Sequence, residues 1–312
     1  MTEITTRRTS DLALRHQVKT YMDARQSEAT TRAYRSDWRQ FETWCRAHSV
    51  MSLPATPETV ASYVAFRAAN GAKVSTVNRA LSAIASIHRE QGFEWRSNAG
   101  VAATMKGIRR THGSATSKKA PVTDQMLREM LRHLPTDLSG VRDRALILLG
   151  WLGAFRRAEL AALVVSDISF VPEGVIVNIR RSKTDQEGAG QEKGIPTGDI
   201  ICAVRALREW LDLAGITAGK IFRSIDRHGR IGPRLSSSSI GQIVKTAAEA
   251  AGLDPDRFAG HSLRAGFITT AAKKGKSLDA IMRMSGHRSE KVCRGYIRHA
   301  TIFSENAALD LL

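Results

Sequence analysis

Apolar residues recur along most of this chain at helical spacing. Tyr34, Trp38, Phe41 and Cys45 fall on one stripe with Arg32, Arg35, Arg39 and Arg46 among them. That pattern predicts a helix with an aromatic core face and a basic outer face. Leu14, Val18 and Tyr21 or Met22 predict a helix before it, opened by Ser10. Thr56-Pro57-Glu58 is a helix start with proline in the first turn. It leads through Val60, Tyr63, Val64 and Arg67 to a stop at Asn70-Gly71. Ser75 or Thr76 opens the next helix, where Val77, Leu81, Ile84 and His88 share a face; His88 reads as a structural residue at a core margin. A short helix from Val101 to Ile108 runs into Arg109-Arg110. The first region is therefore all helical.

Thr111 to Ala120 is rich in Ser, Thr and Gly, carries Lys118 and Lys119, and has no apolar stripe, so it reads as a linker. Its lysines either lie along phosphates or merely solvate a hinge. Beyond it, Met126, Leu127, Met130, Leu131 and Leu134 mark an amphipathic helix, and Ala145 to Leu152 is apolar all round, as in a buried central helix. The period then changes. Val164 to Ile168, Val175 to Ile179 and Lys193 to Ile195 predict short strands, with Pro172-Glu173-Gly174 as a turn between the first two. Ile201 to Leu213 returns to helix, and Ser236 to Ser239 starts another on Ile240, Ile243, Val244 and Ala247. Leu263 to Ala272, Leu278 to Met284 and Ser289 to Ala300 complete a mainly helical second region with a small sheet. The tail Thr301 to Leu312 ends in Leu309, Leu311 and Leu312 and either packs on its own domain or docks on a neighbouring subunit.

Composition narrows the function. The chain has 312 residues, 42% of them hydrophobic, with a formal net charge of +17. That size fits one large domain or two ordinary ones, with real cores, and the charge points to a polyanion. An anionic membrane surface is the competing partner, but no apolar run approaches the ~20 residues of a spanning helix. Cys45, Cys202 and Cys293 are scattered and form no CxxC, which suits a reducing cytoplasm.

The chemistry concentrates between Ala259 and Tyr296. His261 and Arg264 lie three apart, and Gly286-His287-Arg288-Ser289 and Arg294-Gly295-Tyr296 follow. On a helix the first two share a face that could hold an anion, with Gly260 permitting close approach of the backbone. Tyr296 is the only tyrosine after Tyr63. Upstream, Arg156 follows the apolar helix, with Glu159 three residues on to orient its guanidinium; the plainer reading is a helix-terminal charge paired with that acid. Lys183 lies in Arg180-Arg181-Ser182-Lys183-Thr184, either a solvated cluster or a cation reaching into a groove.

These residue types suit attack of the Tyr296 hydroxyl on a phosphodiester. Arg156, Arg264 and the histidines would meet charge on the equatorial oxygens, and Lys183 would protonate the departing 5′ oxygen. A covalent phosphotyrosine conserves the bond, so rejoining needs no nucleotide. The set holds no paired carboxylates for two-metal hydrolysis, and the chain has no GxxxxGKT or GxGxxG. No cofactor and no metal is expected.

In these motifs the chain resembles the tyrosine recombinase, or phage integrase, family. The family's Arg-x-x-Glu-Leu falls on Arg156 to Leu160, its hairpin lysine on Lys183, His-x-x-Arg on His261 and Arg264, Gly-His-x-Ser on Gly286 to Ser289, and the nucleophile on Tyr296. Arg157 is a neighbouring claimant to the first arginine, and the Glu-Leu offset favours Arg156. The resemblance implies an all-α core-binding domain over residues 1–112, a linker over 113–120, and a catalytic domain over 121–312 with the breaking-rejoining fold. It implies a catalytic set of Arg156, Glu159, Lys183, His261, Arg264, His287 and Tyr296. It implies double-stranded DNA with short inverted repeats as partner, one dimer per site, a homotetramer on two sites, a Holliday junction, no required accessory protein, and a cytoplasmic, nucleoid-associated location. No arm-binding domain is expected ahead of the first helix. Residues 301–312 are expected to dock in trans. A type IB topoisomerase, acting as a monomer on one duplex, and a non-catalytic basic DNA-binding protein are the competing readings.

Overall fold

The computed structural model describes residues 14, 17, 18, 20, 21, 25–95, 98–113, 119–180 and 190–300, the side chains of 298–300 excepted. Lys183, the tail 301–312 and most of the expected first helix and linker lie outside these residues. The chain divides into two compact units, Met1–Ser117 and Lys118–Leu312. Among the described residues no helix is long and apolar enough to cross a membrane.

The first unit contains α1 (Glu28–Ala47), α2 (Pro57–Ala69), α3 (Val74–Glu90) and α4 (Ala99–His112). Ser27 caps α1 through the Thr30 amide, and Thr56 caps α2 with Pro57 at its first position. The α3 helix opens at Val74, ahead of the expected Ser75 or Thr76, and its cap residue Lys73 offers no side-chain acceptor. The Thr76 amide is met instead by the Lys73 carbonyl at 2.8 Å. Phe41, Cys45, Tyr63, Val64, Val77, Ile84 and Met105 fill the core as the stripes predict, and Arg32, Arg35, Arg39 and Arg46 stay exposed. Two polar residues join that interior. Asp37 is buried and takes both Nε and Nη2 of Arg79, at 2.7 and 3.1 Å. His88 is fully inside rather than at a margin: its Nδ1 donates to the Ile84 carbonyl and its Nε2 accepts from the Ala55 amide, both at 2.8 Å. It is a structural bridge between two segments.

The second unit contains α5 (Asp124–Arg132), α6 (Leu138–Leu152), α7 (Arg157–Ala162), β1 (Ile168–Val171), β2 (Gly174–Ile179), β3 (Gln191–Pro196), α8 (Ala203–Leu213), α9 (Ser237–Ala250), α10 (His261–Lys273), α11 (Leu278–Ser285) and α12 (Glu290–Ala300). The strands form one antiparallel sheet in the order β1-β2-β3. A mainly helical domain with a small sheet is what the periodicity predicts. The first strand is displaced from its expected place at Val164 to Ile168. The Asp167 carboxylate accepts from the Val164 amide at 3.0 Å and from Arg180 Nε at 2.6 Å, curling residues 165–167 into a 3₁₀ turn. Pairing therefore starts at Ile168, and Val171 opposite Gly174 closes the first hairpin around Pro172 and Glu173. Pairing of β2 with β3 runs from Gly174 opposite Pro196 to Ile179 opposite Gln191.

Helix α6 is the centre of the core, with Leu146, Ile147 and Leu149 wholly buried beside Phe155, Leu207, Trp210 and Leu263. Helix α10 lies against it and is enclosed over most of its length. The residues before α5 hold α10 in place: the Val122 amide donates to the Ser262 carbonyl at 3.0 Å, and Trp151 Nε1 donates to the Val122 carbonyl at 2.7 Å. This packing depends on Gly266, where a Cβ would come within 1.9 Å of the Val122 oxygen. Backbone is the obstacle, so a larger residue forces a shift rather than a rotamer change. Gly266→Ala is expected to lower unfolding stability by about 2 kcal/mol, read as a reduced urea midpoint, whereas Gly107→Ala, where a Cβ meets nothing within 4 Å, is expected not to.

Candidate active site

The site is built on the N-terminal turn of α10, the turn between α6 and α7, the end of α11 and the middle of α12. Helix α6 stops at Leu152, and the chain turns through Gly153 to Phe155 with Ala154 at φ 48°, a left-handed conformation uncommon outside glycine. Arg156 then caps the start of α7. It is therefore not the closing charge of an apolar helix, as its sequence position suggests, but the first residue of a new element. Glu159 binds it twice: Oε2 accepts from the Arg156 amide at 2.9 Å and Oε1 from Nη1 at 2.6 Å. Arg156 Nη2 donates to the Gly286 carbonyl at 3.4 Å, at the far side of the site. The stem of Arg157 instead covers Gly260, where a Cβ would meet its Cγ and Cδ at 2.2 Å. Gly260 thus makes room for a side chain of its own unit.

Arg264 is only 1% exposed, although it stands on the same helix as the exposed His261. Its Nη1 donates to the Ala154 carbonyl at 2.8 Å, and its Nη2 lies 3.3 and 3.4 Å from the two ring nitrogens of His287. Its Nε has no hydrogen-bond partner, and among the described residues no carboxylate forms an ion pair with it. Burial, then the nearby Arg156 charge, pull its pKa down to about 10, which still leaves it charged at neutral pH. His287 follows Gly286, whose left-handed backbone at φ 63° ends α11. Ser285 Oγ sits 2.8 Å from its Nδ1. Burial first, then Arg264 and Arg156, push its pKa down to about 4, so the ring is neutral at pH 7.

Tyr296 reaches the site from α12, whose Cys293 is wholly buried among Ile268 and Ile281. The Tyr296 hydroxyl lies 2.9 Å from His261 Nε2, and its ring centre is 6.0 Å from that of His287. Of the sequence candidates, Arg156, Glu159, His261, Arg264, His287 and Tyr296 converge on this one region. Lys183 lies outside the described residues. One cation escaped the sequence reading. Lys193, on β3, is 2% exposed, donates to the Gly153 carbonyl at 2.6 Å and lies 4.5 Å from the Phe155 ring centre. Strand alternation carries the missed signal, because Lys193 shares its sheet face with Ile195 and pairs with the buried Val177.

A phenol beside a histidine, backed by a buried guanidinium and a neutral imidazole, is an arrangement chemically able to pass an anionic ester to a tyrosine. Residues 121–301 match the phage integrase family, and residues 18–91 match the phage integrase N-terminal SAM-like domain. The chain is 42% identical over 297 residues to an integrase/recombinase xerD homolog of Selenomonas ruminantium, covering 93% of this chain and 87% of that protein. It is 25% identical over 304 residues to recombinase cre of Escherichia phage P1, covering 91% and 87%. A lambda integrase dimer bound to a COC' core site shares the fold at a TM-score of 0.61 and 19% identity, over 91% of this chain and 93% of that one. The chain belongs to the phage integrase family, the tyrosine recombinases, and is a DNA strand-cleaving and rejoining enzyme of that type.

The depressed His287 pKa fixes a sign for the pH dependence of folding. Between about 4 and the ordinary 6.5 the unfolded chain binds this proton and the folded one does not, so stability rises with pH through that window. His287→Gln is expected to lose less stability than wild type between pH 7 and pH 5, measured by urea unfolding at both values.

Proposed function

We propose that the chain is a site-specific recombinase whose nucleophile is Tyr296 and whose phosphate is held by Arg156, Arg264 and His287. The observation that carries this reading is the 2.9 Å contact of the phenol with His261, next to a buried guanidinium that pairs with no carboxylate among the described residues. Burying such a charge is costly unless an anion compensates it, and a scissile phosphate would supply that anion. In the proposed step the Tyr296 oxygen forms a bond to phosphorus, and His261 receives the phenolic proton. The bond from phosphorus to the 5′ oxygen breaks, and Lys183 gives that oxygen a proton. The product is a 3′-phosphotyrosine and a free 5′ hydroxyl. Glu159 acts through Arg156, orienting it. The reverse step, by a 5′ hydroxyl from a second duplex, rejoins the strand.

The +17 charge supports double-stranded DNA as the partner. Family membership supports the rest of the proposed cycle: core-binding and catalytic domains joined at 113–120, a dimer on each pair of inverted repeats, and a tetramer exchanging strands through a Holliday junction. Residues 301–312 would dock in trans, accessory proteins would not be required, and the protein would act at the nucleoid.

A nicked duplex selected by the protein from random DNA tests the chemistry on a denaturing gel. Wild type is expected to become attached to the 3′ phosphate in excess EDTA, at Tyr296 by peptide mapping, while Tyr296→Phe binds the same duplex and forms no adduct. An adduct elsewhere, or a strict magnesium requirement, defeats the mechanism. Junctions between two labelled duplexes separate recombination from relaxation by a monomer.

Arg156→Ala and Arg264→Ala are each expected to slow adduct formation about a hundredfold or more, as loss of one transition-state donor is worth about 3 kcal/mol. Arg157→Ala is expected to change the rate by no more than a few-fold, since its stem packs on Gly260. Single-turnover rates on the same duplex decide, and an inactive Arg157→Ala beside an active Arg156→Ala reverses the assignment.

A further inference from the structure

Lys193 is a buried amine that the proposed chemistry leaves without a task. It is 2% exposed on a face shared with Ile195, and a methionine would occupy similar volume without a charge to desolvate. The amine donates a hydrogen bond, 2.6 Å to the carbonyl of Gly153, and lies 4.5 Å from the Phe155 ring centre on the same turn. The next carbonyl, of Ala154, takes Nη1 of Arg264 at 2.8 Å. Two consecutive carbonyls past the end of α6 are thus held by cations from β3 and α10, where the helix itself supplies no donor. The peptide between them carries Ala154 at φ 48°, a conformation that persists only where its surroundings impose it. Two residues on, the same turn delivers Arg156.

We infer that Lys193 is a positioning residue for Arg156, acting through the Gly153 carbonyl to hold the turn that aims the guanidinium at the site. The inference rests on the recombinase reading above. Lys193 stands two residues into β3, so that strand is tied to the arginine turn. Gln191 at the start of the same strand binds the Arg283 carbonyl at 2.5 Å, near the Gly286 turn. One strand therefore touches the supports of both Arg156 and His287. Burial brings the Lys193 pKa down to about 7, opposed by Glu159 on α7 and helped by Arg264 on α10 and Arg156 at the α7 cap.

Lys193→Met is the test variant, assayed for adduct formation on the nicked duplex and for affinity to it, alone and with Arg156→Ala. The expected result is a melting temperature no lower than wild type, affinity within about threefold, and adduct formation roughly ten- to a hundredfold slower. In the Arg156→Ala background the same change is expected to add less than about threefold, as for residues that act through one another. A full multiplicative loss there, a parallel loss of affinity, or an unchanged rate overturns the inference. Should Lys193→Met fail to fold, ¹⁵N-lysine spectra of the wild-type chain decide. One amine is expected to resist solvent exchange, titrate far below the others and shift when DNA binds; lysines all behaving as solvent-exposed overturn it. Wild-type protein that forms no adduct at Tyr296 sinks the recombinase reading and this inference together, whereas wild-type cleavage matched by Lys193→Met sinks the inference alone.

Discussion

Arg264 is one of the largest side chains in the molecule to be fully buried, and the second unit is arranged around the problem of holding it there. Its Nη1 binds the Ala154 carbonyl, so α10 is tied to the turn that ends α6. Its Nη2 lies against His287, so the end of α11 is drawn to the same point. Gly266 lets α10 approach Val122 closely enough for that reach. Among the described residues no carboxylate forms an ion pair with Arg264, so its burial carries an electrostatic cost.

The surroundings of that charge set the state of every neighbour. Arg156 has Glu159 on two of its groups, so it is neutralised locally and fixed in direction. Burial first, then two guanidinium groups, keep His287 uncharged, with a ring nitrogen able to accept or donate a hydrogen bond. The result is positive potential concentrated at one place, with proton-handling groups of different readiness around it. Tyr296, half-buried, and His261, exposed, lie at the more open side. In the first unit the same economy appears in Asp37 and His88, buried polar groups met by Arg79 and by the Ile84 carbonyl and Ala55 amide.

The sequence by itself determined the helices, the sheet and the list of polar residues worth watching. Stripes of period 3.6 are imposed by burial of one face, so Phe41 and Cys45, or Ile240 and Val244, announce their own helices. The motif around Arg156, His261, Arg264, His287 and Tyr296 was legible because a phenol with several cations is a poor structural combination and a good chemical one. Tertiary structure alone decided how these residues are used. His261 and Arg264 are three apart on one helix, yet one is exposed beside a phenol and the other enclosed, because α10 is packed on most of its circumference and spacing says nothing of what surrounds it. Arg156 looked like the end of α6 because the positive φ of Ala154, which separates two helices, leaves no mark in an alanine. Asp167 displaced the first strand through a bond to Arg180, thirteen residues away. Strand alternation puts Lys193 on the face of Ile195, but whether a charged residue stays buried there depends on an acceptor from another element, here the Gly153 carbonyl forty residues upstream.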